Sequence, residues 1–487
     1  LDPTLAWVLA SRGETHRQAG LYDQAIADLT TALELNPTLT WALCLRGQTH
    51  RQAGLYDQAV ADFTAALELD PTLAWVLASR GETHRQAGLY DQAIADLTTA
   101  LELDPTLTWA LGYRGQTHRQ AGRYDQAIAD YTAALELNPA DAWALGYRGR
   151  AHQQVGRYDQ AIADYTAALE LDPTLTWALA SRGETHRQAG LYDQAVANYT
   201  AALELDPTLT WALASRGETH LQADLYDQAV TDLTAALELD PTLTWALASR
   251  GAAHRQADRY DQAIADYTAA LELDPTLTSV LTSRGEAHRQ AGRYDQAVTD
   301  YTAALELDPT LTWALASRGE THRQAGQYDQ AIADYTAALE LDPTLTWALA
   351  TRGVAHRQAG HYGQAREDLE RAVEANAGHR GYAFEKLMLD TVESGLEGCA
   401  ERWDQLLSSP VSTPEGDATR FFGLFRVLLL EPESSVVEAT RLFLAGGPDH
   451  DATADLLRYL DELSVLGDEL AYRARQCRRL IAEHAPG

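Results

Sequence analysis

The stretch that decides the fold is residues 176–209, TWALASRGETHRQAGLYDQAVANYTAALELDPTL, because the same 34-residue unit recurs along most of the chain. Tryptophan marks the second place of the unit from Trp7 to Trp347, with Ser279 as the exception, and proline keeps the same period from Pro3 to Pro343. A fixed period of this length is the signature of a repeat array. Eleven copies fill residues 1–375 of the 487-residue chain, so the sequence predicts stacked repeats.

Each unit predicts two helices joined by a short turn. Trp177 to Ala189 contains no proline and keeps a helical apolar spacing, and Gly190 ends this helix because glycine readily adopts positive φ. A second helix follows, with Asp193 near its start, where a carboxylate can cap free amides and meet the positive end of the helix dipole. It ends before Pro207, which cannot extend a helix.

One such hairpin cannot bury its own apolar face, so neighbouring hairpins must stack into a continuous core. Small residues allow close approach of the helices, and larger apolar residues fill the interface. The small residues are Gly183, Ala195 and Ala202, and the predicted apolar face is Leu179, Tyr192, Tyr199, Leu203 and Leu205.

With Thr176 as the first place, the unit resembles the tetratricopeptide repeat. The resemblance rests on glycine at place 8, alanine at 20 and 27, aromatics at 17 and 24 and proline at 32. It implies an all-α, right-handed superhelix whose first helices line a concave groove that binds peptides or protein segments. Arg182 at place 7 and His186 at place 11 depart from the leucine and tyrosine that are commoner there.

Residues 376–487 are not repeated, and we expect them to form a helical C-terminal cap over the last apolar face of the array. Because Leu1-Asp2-Pro3 is the tail of a repeat, we also expect the chain to be part of a longer bacterial protein. The helices expected in the cap span roughly residues 380–395, 396–408, 414–431, 433–445, 450–466 and 468–484.

Composition narrows the classes of function. A net charge of −32 disfavours nucleic acid and anionic membranes as partners, and no apolar run is long enough to span a bilayer. Three cysteines without close pairing favour a reducing, cytoplasmic setting. We find no phosphate-binding loop, nucleophile elbow or catalytic Cys/His motif, so the sequence predicts a binding protein without enzymatic activity or cofactor.

The resemblance to the tetratricopeptide repeat implies that places 2, 5, 6, 9, 12 and 13 face the groove. Glutamine at place 13 can donate to and accept from peptide backbones, and tryptophan adds apolar area. Tyr113 and Tyr147 replace serine in adjacent repeats and are a candidate aromatic anchor, with sequence drift or recent duplication as the alternative. The candidate partner-binding residues are Trp109, Tyr113, Gln116, Arg119, Gln120, Trp143, Tyr147, Arg150, Gln154, Trp177, Ser181, Glu184, Arg187, Gln188, Trp211 and Gln222.

One histidine recurs in each repeat, from His16 to His356. A 34-residue spacing does not cluster metal ligands, so we interpret these histidines as packing or hydrogen-bonding residues and predict no metal site. Two alternatives to a protein-binding groove stay open. The array could be the sensor arm of a larger signalling or defence protein with an upstream nucleotide-hydrolysing switch or protease-like effector. It could also be a spacer or a self-association surface, through the array or the C-terminal helices.

Overall fold

The structure is a computed structural model that describes residues 3–376, 379–394, 398–408 and 468–484, with single positions between 429 and 463. Throughout these ranges the chain consists of helices and short connections, without a β-strand. The helices expected at 414–431, 433–445 and 450–466 lie largely outside the described residues. An all-α fold of consecutive helical hairpins is confirmed.

Eleven hairpins follow one another along the chain, each made of an odd-numbered first helix and an even-numbered second helix. The first helices are α1 (Pro3–Gln18), α3 (Thr40–Gln52), α5 (Ala74–Gln86), α7 (Thr108–Gln120), α9 (Ala142–Gln154), α11 (Thr176–Gln188), α13 (Thr210–Gln222), α15 (Thr244–Gln256), α17 (Thr278–Gln290), α19 (Thr312–Gln324) and α21 (Thr346–Gln358). The second helices are α2 (Tyr22–Leu35), α4 (Tyr56–Leu69), α6 (Tyr90–Leu103), α8 (Tyr124–Leu137), α10 (Tyr158–Leu171), α12 (Tyr192–Leu205), α14 (Tyr226–Leu239), α16 (Tyr260–Leu273), α18 (Tyr294–Leu307), α20 (Tyr328–Leu341) and α22 (Tyr362–Ala375).

The helix boundaries of the repeats agree with the sequence prediction, but the predicted capping residue of the second helix does not. Gly190 has φ of 74°, and the amide of Leu191 donates to the carbonyl of His186 at 2.8 Å, which closes the end of α11. Leu191 occupies the N-cap of α12 and makes no side-chain capping bond. The expected capping hydrogen bond from Asp193 is therefore wrong, because Asp193 lies within the first turn and contributes only its charge there.

Within a hairpin the two helices pack closely at the small residues. A Cβ atom on Gly183 would lie 3.1 Å from the ring of Tyr199, so a larger residue would push the helices apart. Leu203 is buried, but Leu205 is 49% exposed, which corrects the prediction that both line the apolar face. Two residues apart on an α-helix is about 200° of rotation, so the two leucines must point to opposite sides.

The unusual arginine and histidine form a polar ladder, which we define as Arg at place 7, His at place 11, Asp at place 23 and Thr at place 25 of the preceding repeat. In the seventh repeat, Arg216 donates to both carboxylate oxygens of Asp232 at 2.8 and 2.6 Å and to the hydroxyl of Thr200 at 3.0 Å. The Nδ1 atom of His220 lies 3.0 Å from the same carboxylate. The ladder therefore ties the helices of one hairpin to each other and to the preceding hairpin.

The same ion pair recurs along the array, and the sixth repeat breaks it. There Asn198 replaces aspartate, and Arg182 donates to its amide oxygen at 2.6 Å without a carboxylate partner. Burial consequently lowers the pKa of Arg182, whereas the hydrogen bond to Asp368 raises the pKa of Arg352. The carboxylate pairs are Arg12–Asp28, Arg46–Asp62, Arg80–Asp96, Arg114–Asp130, Arg148–Asp164, Arg216–Asp232, Arg284–Asp300, Arg318–Asp334 and Arg352–Asp368.

Two compact units, Leu1–Ala253 and His254–Gly487, divide the chain within α15. In the second unit the last hairpin is followed by α23 (Arg380–Ser394), α24 (Ala400–Ser408) and α25 (Asp468–His484). Leu389 packs with Ala365 and Leu369 of α22, so α23 covers part of that hairpin. A separate core surrounds Trp403, whose indole N–H donates to Thr391 at 2.8 Å. The boundary at residues 375 and 376 stays a prediction.

Candidate protein-binding groove

Side chains from successive first helices form one continuous surface in the first unit, which we call the groove. The guanidinium of Arg85 donates to the amide oxygen of Gln120 in the next repeat at 3.1 Å, and Gln153 donates to Gln188 at 3.2 Å. The indoles of Trp7 and Trp41 stack with ring centroids 5.1 Å apart. In these pairs, place 12 of one repeat adjoins place 13 of the next, and two tryptophans at place 2 adjoin each other.

Most groove charges are already neutralised inside their own repeat. Arg187 donates two hydrogen bonds to the carboxylate of Glu184, at 2.9 and 2.7 Å, as the spacing of three residues predicts. Gln188 and the hydroxyl of Tyr199 donate to the same carboxylate at 2.8 and 2.9 Å. The equivalent pairs are Glu14–Arg17 and Glu82–Arg85 in the first unit, and Glu286–Arg289 and Glu320–Arg323 on first helices of the second unit.

An aromatic cluster interrupts this polar surface in the fifth and sixth repeats. The ring centroid of Trp177 lies 5.3 Å from that of Trp143 and 5.5 Å from that of Tyr147, and both pairs are stacked. Tyr147 also stacks on Tyr131, which is buried, at 6.1 Å. Gly146 makes this arrangement possible, because a Cβ atom there would lie only 2.2 Å from the Trp177 indole.

An open cavity of about 610 Å³ adjoins this cluster and collects nine of the predicted residues. Trp143, at its edge, is 53% exposed. Gln153, which is not among the predicted residues, also lines the cavity, and it holds the place that arginine holds in most repeats. The nine predicted residues in the lining are Trp143, Tyr147, Arg150, Gln154, Trp177, Ser181, Glu184, Gln188 and Trp211.

The other predicted residues lie elsewhere on the groove. Tyr113 packs edge-to-face against Trp109 at 5.7 Å within its own repeat, whereas Tyr147 belongs to the cluster. The two tyrosines thus sit in different aromatic contacts, although they are equivalent in the sequence. Gln116, Arg119, Gln120, Arg187 and Gln222 do not line the cavity.

The histidines have the structural role that their spacing suggested. The Nδ1 atom of His50 lies 2.9 Å from Asp62, within the polar ladder. Burial lowers the pKa of His118, an effect that Asp130 opposes and that Arg114 and Arg123 reinforce. In the described part of the chain no group of three His, Cys, Asp or Glu side chains is placed to hold a metal ion. None of the described helices is long and apolar enough to cross a membrane.

Comparison with known families settles what the repeated unit is. Profiles described as the tetratricopeptide repeat match residues 8–39, 40–73, 76–107, 114–176, 180–244, 244–277, 279–311, 312–345 and 348–379. The chain belongs to the tetratricopeptide repeat family. Members of this family are protein-interaction scaffolds, and the stacked hairpins of this chain have that architecture. No match to the sequence was found among curated proteins.

Parts of several solved structures resemble the chain. MamA is 25% identical over 33% of this chain and 94% of its own, with a TM-score of 0.32. A tetratricopeptide protein from Parabacteroides merdae is 18% identical over 51% of this chain and 98% of its own, with a TM-score of 0.42. Yeast Tom70 is 19% identical over 82% of this chain and 96% of its own, with a TM-score of 0.34.

Proposed function

We propose that this protein binds a segment of another protein in the groove, with the main anchor in the fifth to seventh repeats. The observation that carries the proposal is the open cavity of about 610 Å³ beside the cluster of Trp143, Tyr147 and Trp177. Tryptophan and tyrosine are among the residues that most often dominate the binding energy of protein interfaces. They offer a large apolar area at little cost in side-chain entropy.

The walls of the cavity suit an extended polypeptide. Gln153, Gln154 and Gln188 contribute amides to the lining, and each amide can both donate to and accept from a peptide backbone. Gln154 is exposed, so a ligand can reach it. An apolar side chain of the ligand would occupy the aromatic cluster, while its backbone would run along the glutamines.

The test selects ten-residue peptides from a display library on the full chain and measures their affinity by fluorescence anisotropy. Tyr147→Ala should weaken binding by about tenfold or more, because truncation of a central aromatic anchor costs about 2 kcal/mol. Tyr113→Ala is the matched control, since Tyr113 holds the same place one repeat earlier but contacts Trp109. Equal losses in the two variants, or no loss in either, would reject this anchor.

We also propose that the protein acts by binding alone, in the cytoplasm. Cys44, Cys399 and Cys477 are buried free thiols, which suits a reducing compartment. Burial raises the pKa of Cys44 to about 12 and that of Cys477 to about 11, so neither is an activated nucleophile. Hydrolysis of ATP or of a peptide by the purified chain would contradict a purely binding role.

A further inference from the structure

We propose that the groove receives an acidic side chain of the bound polypeptide at the fourth and fifth repeats, next to the residue that occupies the aromatic cluster. The inference rests on the groove-binding function proposed above and adds the chemistry of the ligand. It follows from two adjacent repeats that each place a cation in the groove without the glutamate that neutralises arginine in the first, third and sixth repeats.

A repeat with glutamate at place 9 and arginine at place 12 contributes no net charge to the groove, because the two side chains pair. The fourth repeat has Gln116 at place 9, so Arg119 loses its carboxylate. The fifth repeat has Arg150 at place 9 and Gln153 at place 12, so it has a cation without an anion. Two adjacent repeats therefore each carry one positive charge in the groove.

Arg119 has no carboxylate partner in the structure. It forms no ion pair with any described residue, and its Nε–H is buried without a hydrogen-bond acceptor. Its guanidinium carbon instead lies 6.0 Å from the ring centroid of Tyr147, against the aromatic cluster. The loss of glutamate explains this state, because the Nε atom of Arg51, at place 12 of the second repeat, also lacks an acceptor, and that repeat has Gln48 at place 9.

Arg150 brings a second cation to the same place. It is exposed and lines the cavity. Tyr147, the ring that the guanidinium of Arg119 faces, lines the same cavity, so both cations border the aromatic cluster. Glu184, the acidic residue in the cavity lining, is already bonded to Arg187, so it does not neutralise them.

This local charge selects a carboxylate. The protein as a whole carries −32, so an acidic ligand gains nothing from the rest of the surface. Repulsion from distant charges is screened over about 8 Å at physiological salt, whereas the attraction of a carboxylate to two guanidinium groups in direct contact is screened much less. Guanidinium groups bind carboxylates through paired hydrogen bonds, so the structure favours a ligand in which Asp or Glu adjoins an aromatic or large apolar residue.

The test compares two ten-residue display libraries, each with a fixed central tryptophan, flanked by glutamate in one and by glutamine in the other. The glutamate library should yield peptides that bind at least about tenfold more tightly. The double variant Gln116→Glu/Arg150→Glu should abolish that difference. Both substitutions introduce the residue that Glu14 and Glu184 hold at place 9, so the variant is expected to fold, which circular dichroism checks.

The matched control is Gln48→Glu, which makes the same change at place 9 of the second repeat, away from the cluster. It should leave the preference for glutamate intact. Equal affinity of the two libraries, with binding that Tyr147→Ala still weakens, would overturn the acidic specificity and leave groove binding in place. If no peptide from either library is sensitive to Tyr147→Ala, the proposed function itself fails.

Discussion

Asn198 is a natural interruption of the polar ladder, and Asn198→Asp should repair it. In the sixth repeat Arg182 donates one hydrogen bond to Asn198, at 2.6 Å. In the seventh, Arg216 makes two to Asp232, whose side chain is 9% exposed while that of the arginine is 20% exposed. The cost of burying the arginine is already present in the sixth repeat, so a carboxylate there adds mainly attraction.

The magnitude follows from the bonds exchanged. A hydrogen bond between charged partners contributes about 2 kcal/mol net, and a neutral one about 1 kcal/mol. Aspartate would gain the charged pair with Arg182 but lose the bond that the Asn198 amide donates to the carbonyl of Gln194 at 2.6 Å. We therefore expect Asn198→Asp to raise the local free energy of unfolding by about 1 kcal/mol.

Native-state hydrogen exchange is the suitable assay, because long repeat arrays do not unfold as a single cooperative unit. Amides of α11 and α12 should exchange about fivefold more slowly in Asn198→Asp, and amides of distant hairpins should not change. The matched reverse change is Asp232→Asn, which should speed exchange in α13 and α14. Burial raises the pKa of Asp232, but His220 and Arg216 outweigh burial and lower it. The contribution of the Asp232 carboxylate to stability is therefore present above about pH 4 and is lost as the pH falls through the lowered pKa. Unchanged or faster exchange in α11 and α12 of Asn198→Asp would refute the ladder's role.

Three further predictions concern a glycine, a turn and pH. In a denaturation assay, Gly146→Ala should destabilise the first unit by about 1–3 kcal/mol, and it should change Trp177 fluorescence because the indole must move. Gly112→Ala has open space around the new Cβ atom, so it should stabilise the first unit by about 0.5–1 kcal/mol in the same assay. Asp224 has φ of 59° where most repeats have glycine, so Asp224→Gly should slow amide exchange in α13 rather than accelerate it. Burial lowers the pKa of His118 and His152 below the ordinary 6.5, so their neutral forms stabilise the fold above that pH. The thermal midpoint should therefore fall as the pH drops from about 7.5 to 5.5. The fall should be smaller in the double variant His118→Gln/His152→Gln. A flat profile in the parent protein would contradict the pH prediction.

Periodicity was enough to predict the fold, because every boundary carries a local chemical signal. Gly190 and Pro207 end their helices for backbone reasons that no tertiary contact needs to supply. Leu205 was misplaced because an apolar residue at the end of a helix was counted without its angular position. The capping bond of Asp193 failed for a similar reason, since a difference of two positions decides whether a carboxylate reaches a free amide.

The candidate site was predicted less completely than the fold. Departures from the repeat consensus drew attention to Tyr147 and Arg150, but they could not distinguish Tyr147 from Tyr113. That difference depends on where the next repeat's tryptophan lies, and Gly146 allows Trp177 to move in. The ladder of Arg182 and His186 was noticed only as a deviation, because its partner at place 23 lies on the other helix. The contribution of Tyr147, Arg150 and the other candidate groove residues to partner binding stays a prediction.

The uniform joints of the polar ladder have a consequence for how such a gene can change. Arg182 bonds to Thr166, and Arg216 to Thr200, in the same geometry, so the surface that one hairpin offers is the surface that the next one accepts. Excision or duplication of a whole 34-residue module would join equivalent surfaces and leave no mismatched seam. The length of the array can therefore vary between descendants in steps of one module. Such a step would leave the stacking intact and change only where the unusual residues of the fourth and fifth modules lie along the array.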